Sequence, residues 1–239
     1  MTFQSIFITG TDTGVGKTTV ACGIAAALRQ RGLRVCVFKP SETGCLPDQN
    51  GRLLPEDAQR LKYFSECDFD LSALCRYVLS QPLAPAVAAQ HDGVSIDLDA
   101  LVRAHGSIAD VHDITLIEGA GGLLVPLTGT LTFADLALCL HTPVLVVVGS
   151  RLGAINHALL TVRAVRSIGL HVLGYVVNTL STTPDLAAQT NERVLRDWLG
   201  PAIGTVPHLG LVEMTEADRQ RLAAVFAATI NLDALLRHG

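Results

Sequence analysis

Lysine is nearly absent from this chain, three residues against fifteen arginines. Basic residues never run to five in a row and the formal net charge is -4, which excludes a general attraction to nucleic acid or to anionic membrane. No apolar stretch reaches the roughly 18 residues that cross a bilayer, "PVLVVVG" being the longest candidate, so no membrane partner is expected. The opening "MTFQSIFITG" lacks a basic region and a long apolar stretch; neither a secretory nor an organellar leader is expected, and a cytoplasmic location is. Cysteines at CxxC or zinc-type spacing are also missing. Cys22, Cys36, Cys45, Cys67, Cys75 and Cys139 are scattered, several of them inside apolar stretches, as buried free thiols of a reducing compartment would be. Neither internal repeats nor low-complexity segments occur.

What is present is the balance of a compact folded chain: 49% hydrophobic and 17% charged residues over 239 positions, read as one domain spanning 1–239. Runs rich in Val and Ile, "SIFIT", "RVCVF", "DITLIEG", "PVLVVVG" and "HVLGYVVN", alternate with segments of helical period. Strands apolar on both faces belong to a buried parallel sheet, so the fold class is α/β, a doubly wound, mostly parallel sheet flanked by helices. "KTTVACGIAAALRQRG" sets Val20, Ile24, Ala27 and Leu28 on one face and stops at Gly32; "INHALLTVRAVRSIG" repeats the pattern and stops at Gly169. Residues from about 44 to 110 interrupt the rhythm and read as a mostly helical insertion, with "EDAQRLKYFSE" a short helix and "SQPLAPAVAAQHDG" a proline-broken connection. "GGLLVPLTGTLTF" reads as a small hairpin turning at Gly129.

The scarce lysines stand at informative places. "FITGTDTGVGKTTV" is a strand running into a glycine-rich turn, one residue longer than G-x4-G-K-[ST] when counted from Gly10. Gly14 and Gly16 can take positive φ, and backbone N–H groups and the helix dipole converge on an anion at the helix start. Lys17 then reaches the β and γ phosphates and the Thr18 hydroxyl ligates Mg²⁺. Where any positive charge would do this chain uses arginine; lysine persists where a compact three-donor charge fits the turn. "VFKPSETG" puts Lys39 at a strand's C-terminal end, the ligand-binding edge of such sheets, with Pro40 expected to end the strand.

Glu118, before Gly119, Gly121 and Gly122, ends the third core strand within reach of a nucleotide-bound Mg²⁺. Asp57 opens a helix after Pro55 and reads equally as a metal ligand or as an acid favouring the helix dipole. The helix starting near Gly153 offers N–H groups to a second anion, such as a substrate carboxylate, or is an ordinary strand-to-helix turn. Asn178 can bond a purine edge or cap a loop. His157 has no assigned role.

Taken together, "TGTDTGVGKT", "KPSETG", "EGAGGLLVPL", "FADLA", "LGAINHALLT", "VVN" and "GTVPHLG" follow the order and spacing of the dethiobiotin synthetase family, over roughly Phe3 to Gly210. The resemblance implies a P-loop NTPase fold and an ATP- and Mg²⁺-dependent reaction. In it 7,8-diaminononanoate captures CO₂ as a carbamate, the carbamate takes the γ-phosphoryl of ATP, and the second amine closes a cyclic urea. It implies nucleotide contacts from Asp12, Thr13, Gly14, Val15, Gly16, Lys17, Thr18 and Thr19, with Asn178, Pro207 and Leu209 framing adenine. Catalytic roles fall on Lys17, Lys39, Thr13 and Thr43, and metal ligation on Thr18, Asp57 and Glu118. The substrate meets Lys39, Thr43, Gly119, Leu152, Gly153, Ala154, Ile155 and Asn156. A homodimer with substrate at the subunit interface is also implied. This chain departs from many relatives at Ser41 and Glu42 and has Ala86 where some carry histidine. Two other readings share the loop: a cobyrinate-type synthetase, for whose glutaminase domain 239 residues leave no room, and a partitioning or positioning ATPase, whose loop normally begins with an additional lysine where this chain has "GTDTG".

Overall fold

The structure, a computed structural model, describes residues 5–236, so the first four residues, Phe3 at the start of the resemblance among them, lie outside the described part. Along the chain, β1 (Ser5–Gly10) leads through the glycine loop into α1 (Lys17–Gln30) and β2 (Val35–Thr43). A short ribbon of β3 (Leu46–Pro47) and β4 (Leu53–Leu54) follows, then α2 (Glu56–Ser65), α3 (Leu71–Leu74), β5 (Cys75–Leu79), α4 (Pro85–His91) and α5 (Leu98–Ala109). The chain returns to the core as β6 (Ile114–Gly122), makes the hairpin β7 (Pro126–Thr128) and β8 (Leu131–Thr132), and continues through α6 (Phe133–Cys139), β9 (Val144–Ser150) and α7 (Ala154–Ser167). It closes with β10 (Val172–Thr179), α8 (Leu186–Leu199), β11 (Gly204–Val206), α9 (Glu216–Thr229) and α10 (Leu232–Leu236).

Seven strands form one parallel sheet in the order β11-β10-β9-β1-β6-β2-β5. Every residue of β1 and β9 is buried, as strands covered by helices on both faces must be. α1 is buried along nearly its whole length because α2 and α9 pack on it, so Val20, Ile24, Ala27 and Leu28 are only part of its hidden surface. Gly32, at φ +84° just past its C-cap, ends it as expected. The hairpin turning at Gly129 is also present, pairing Pro126 with Thr132. No helix among the described residues is long and apolar enough to cross a membrane.

Four features differ from the sequence expectation. β2 does not stop at Pro40 but runs on to Thr43. It changes partner there: Val35 to Phe38 pair with β6, Lys39 and Ser41 to Thr43 pair with β5, and Pro40 falls in the gap, where its missing N–H breaks no ladder. β5 itself, inside the segment read as mostly helical, supplies the sheet's edge; its alternation is too short to register against the helical pattern around it. Pro85 opens α4 instead of breaking a connection, since the first helical position needs no N–H donor. Finally, Cys36 and Cys67 are joined in a disulfide, whereas Cys22, Cys45, Cys75 and Cys139 are free. Thirty-one residues separate the pair and no motif announces it; packing of the end of α2 on the start of β2 brings the two Cα atoms to 5.1 Å. With both sulfurs bonded to each other, the nearby Cys36, Cys67 and His112 offer no thiolates to a metal.

His105 on α5 is buried, its Nε2 2.8 Å from the Ser5 hydroxyl and its ring beside Phe38. Burial lowers its pKa to about 4 against a weak opposing pull from Asp110. The unfolded imidazole protonates near 6.5, so acidification through 6.5 favours the unfolded chain, and the loss grows to about 3 kcal/mol by pH 4. Urea unfolding across this pH range is expected to show a His105→Gln protein losing less stability than the wild type; parallel profiles would refute this.

Candidate active site

The phosphate loop is held from three sides. Its entry is fixed by the Thr11 N–H, which donates to the Val147 carbonyl at 3.0 Å. The Asn178 amide, at the end of β10, donates to the Val15 carbonyl at 2.9 Å, and Arg151, just before α7, pairs with Asp12 at 2.5 Å. Gly16 is the N-cap of α1 at φ +88° and has no side-chain cap, so the first N–H groups of α1 stay free for an anion. A Cβ at Gly16 would sit 2.1 Å from the Asn178 amide nitrogen, so both space and backbone require glycine. Lys17 is buried and its ammonium donates to the Asp12 carbonyl at 3.2 Å. Desolvation lowers its pKa against the attraction of Glu118.

The adjacent strands carry the charges. Register pairs Phe38 with Ile117 and Ile8 with Glu118, which sets Lys39 beside Glu118 next to the mouth of the loop. The Lys39 ammonium donates to Glu118 Oε1 at 2.5 Å and to Asp57 Oδ2 at 2.9 Å. Burial opposes its charged form, but Glu118 and Asp57 together outweigh burial and hold the ammonium above its ordinary range. Burial likewise disfavours the Asp57 carboxylate, and the charge and hydrogen bond of Lys39 overcome it, leaving its pKa lowered. Thr18 Oγ1 donates to Glu118 Oε1 at 2.9 Å. The second oxygen, Glu118 Oε2, is buried without a hydrogen-bond partner. The Thr18 hydroxyl and the Asp57 and Glu118 carboxylates, the latter with one oxygen orphaned, are a hard-oxygen donor set that fits Mg²⁺.

Thr13, Gly14, Gly16, Lys17, Thr18, Thr19, Lys39, Thr43, Asp57 and Glu118 line one cavity of about 440 Å³. The structure thus gathers the expected phosphate, carbamate and metal residues. Val15 faces the core and Asp12 flanks the loop. Gly119 packs against the Phe7 and Phe133 rings, and Ala120 and Gly121 reach the cavity in its place. Leu152, Gly153, Ala154, Ile155 and Asn156 lie outside this cavity, around the N-terminus of α7; Gly153 caps the helix at φ +90° and Leu152 projects into solvent. Asn178 pairs in register with Val206, so Pro207 stands one step beyond it at the same sheet edge, and the Leu209 carbonyl accepts from Arg221. Beside Ala120 and Gly121, two charged cavity residues, Arg60 and Glu42, have no role assigned from the sequence. Arg60 follows Asp57 by three positions on α2 and so shares its face, a spacing that could have revealed it. Glu42 is buried, with its carboxyl pushed up to about 7 by that burial, against the charge of Lys39 and hydrogen bonds from the Asp57 and Ala58 N–H groups.

The chain matches a family described as AAA domain over residues 4–217. Among solved structures, a ParA family ATPase from Chlorobium tepidum superposes with a TM-score of 0.55 over 98% of this chain and 99% of its own, at 14% identity, a likeness of fold alone. Sequence relatives are far nearer. The ATP-dependent dethiobiotin synthetase BioD of Anaeromyxobacter sp. (strain Fw109-5) is 44% identical over 91% of this chain and 94% of its own. That of Bacillus licheniformis is 37% identical over 86% of each. Such identity over most of both chains exceeds what a common fold produces by itself, and this chain belongs to the ATP-dependent dethiobiotin synthetase family.

Proposed function

We propose that the chain forms dethiobiotin from 7,8-diaminononanoate, CO₂ and ATP, releasing ADP and phosphate. The observation that carries this reading is that Lys17 and Lys39, two of the three lysines, open onto one cavity with Glu118. Every stage handles anions: a carbamate, a transferring phosphoryl group and a departing phosphate. Catalysis is therefore a matter of positioning and of fixed positive charge, which this site has in place before substrate arrives.

In this reading the N–H groups at the start of α1 and the Lys17 ammonium grip the β and γ phosphates. The Lys39 ammonium faces the carbamate and the phosphoryl group passing to it, with the Thr13 and Thr43 hydroxyls alongside. Thr18, Asp57 and Glu118 would hold Mg²⁺, which when bound neutralises charge on the phosphate oxygens. Asn178, Pro207 and Leu209, neighbours at the β10 and β11 edge, frame adenine. The free N-terminus of α7 receives the substrate carboxylate across a two-fold dimer. Exposed Leu124, Leu152 and Leu160 supply apolar surface for the second copy. The location assigned to this reaction is the cytoplasm.

The direct test is to supply purified protein with the diamine, bicarbonate, Mg²⁺ and ATP and look by mass for the cyclic urea; ATP-dependent turnover without it would refute the proposal. Lys39→Ala is expected to lower turnover by about 100-fold or more while nucleotide binding stays largely intact. It also leaves Glu118 buried without its counter-charge, so thermal unfolding should report a loss of about 3–5 kcal/mol. Normal turnover in this variant would remove Lys39 from the chemistry. Lys17→Ala, by contrast, should weaken ATP binding in a calorimetric titration as well as turnover, and unchanged affinity would count against the loop assignment.

A further inference from the structure

α2 begins without a cap of its own. Its N-cap is Pro55, which carries no side-chain acceptor, so the first N–H groups of the helix need partners from elsewhere. Glu42, on the neighbouring strand β2, supplies them: Oε1 accepts from the Asp57 N–H at 2.9 Å and Oε2 from the Ala58 N–H at 3.0 Å. Both oxygens of a buried carboxylate are thus spent on the positive end of one helix. The residue whose N–H is held, Asp57, is the one whose carboxylate reaches Lys39 at 2.9 Å. Lys39 precedes Glu42 by three positions on the same strand. At the far end of α2 the Cys36–Cys67 disulfide joins the helix to the start of β2. The helix is clamped to one strand at both ends, and the end with the chemistry is clamped by Glu42.

We propose that Glu42 is the positioning residue for Asp57: its carboxylate docks the start of α2 on β2 and so holds the Asp57 carboxylate against Lys39 and the nucleotide's metal. This rests on the reading of Asp57 as part of the Mg²⁺ site. Glu42 itself touches neither nucleotide nor metal in this role. A merely structural cap would lower stability and leave the metal dependence of nucleotide binding alone; a positioning cap changes that dependence.

The experiment is calorimetric titration of ADP with and without Mg²⁺ into the full chain, for the wild type, Glu42→Ala, Glu42→Gln, Asp57→Ala and the Glu42→Ala/Asp57→Ala double variant. Glu42→Ala is expected to leave metal-free ADP affinity within about twofold and to cut the affinity gained from Mg²⁺ by about tenfold. Glu42→Gln keeps the volume and one acceptor oxygen, should fall between, and serves where Glu42→Ala fails to fold. In the Asp57→Ala background the loss of Glu42 should add nothing further, because the group it positions is gone. A full Mg²⁺ gain in both Glu42 variants, or an undiminished effect of Glu42→Ala without Asp57, would overturn the proposal. An Asp57→Ala protein with the full gain would instead overturn the reading beneath it.

Discussion

The site turns on one ammonium group caught between two carboxylates. Lys39 is buried, Glu118 is buried beside it, and Asp57 closes the other side. Removing such charges from water costs several kcal/mol each, and mutual attraction at hydrogen-bond distance offsets that only while all partners are present. The three groups therefore hold one another in place in the absence of ligand, and the directions in which they point are set before a phosphate enters. Preorganised charge of this kind needs no rearrangement at the moment of reaction, which is where phosphoryl transfer gains most from a protein.

The sheet makes that arrangement possible. β1, β6 and β2 are adjacent in the middle of it, and their C-terminal ends deliver the phosphate loop, Glu118 and Lys39 to one crevice. The exchange of partners at Pro40 matters here. By leaving β6 at Phe38 and joining β5, β2 opens a gap between its tip and β6, and the tip carries Lys39, Glu42 and Thr43 into the cavity wall. β5, an edge strand, thereby acts on the site from a distance: it gives β2 a partner where β6 no longer does.

Around this centre, parts distant in the chain immobilise the loop and the first turn of α2. Asn178 lies 163 residues from the carbonyl it holds, Arg151 lies 139 from its carboxylate, and Glu42 fills the cap position that Pro55 cannot. The Asn178 contact also excludes a side chain at Gly16 and supports the loop from behind.

The alternation of apolar strands with helical segments, the glycine loop, Lys17, Lys39 and Glu118 were all legible in the amino-acid order, because each is announced by local chemistry: positive φ, strand ends, a scarce residue type at a ligand edge. The amino-acid order alone carried the fold class and the phosphate-loop motif. On local chemistry alone Asp57 stayed open between two readings, since a helix-start acid looks the same whether it faces a dipole or a metal; the family resemblance is what implied metal ligation. The cap that Glu42 places on α2, the entry of Arg60 into the cavity, the disulfide between Cys36 and Cys67 and the run of β2 past Pro40 emerge only on folding. Each depends on which surface α2 packs against and which strand pairs with the tip of β2, and those are outcomes of long-range burial and register that no local spacing encodes.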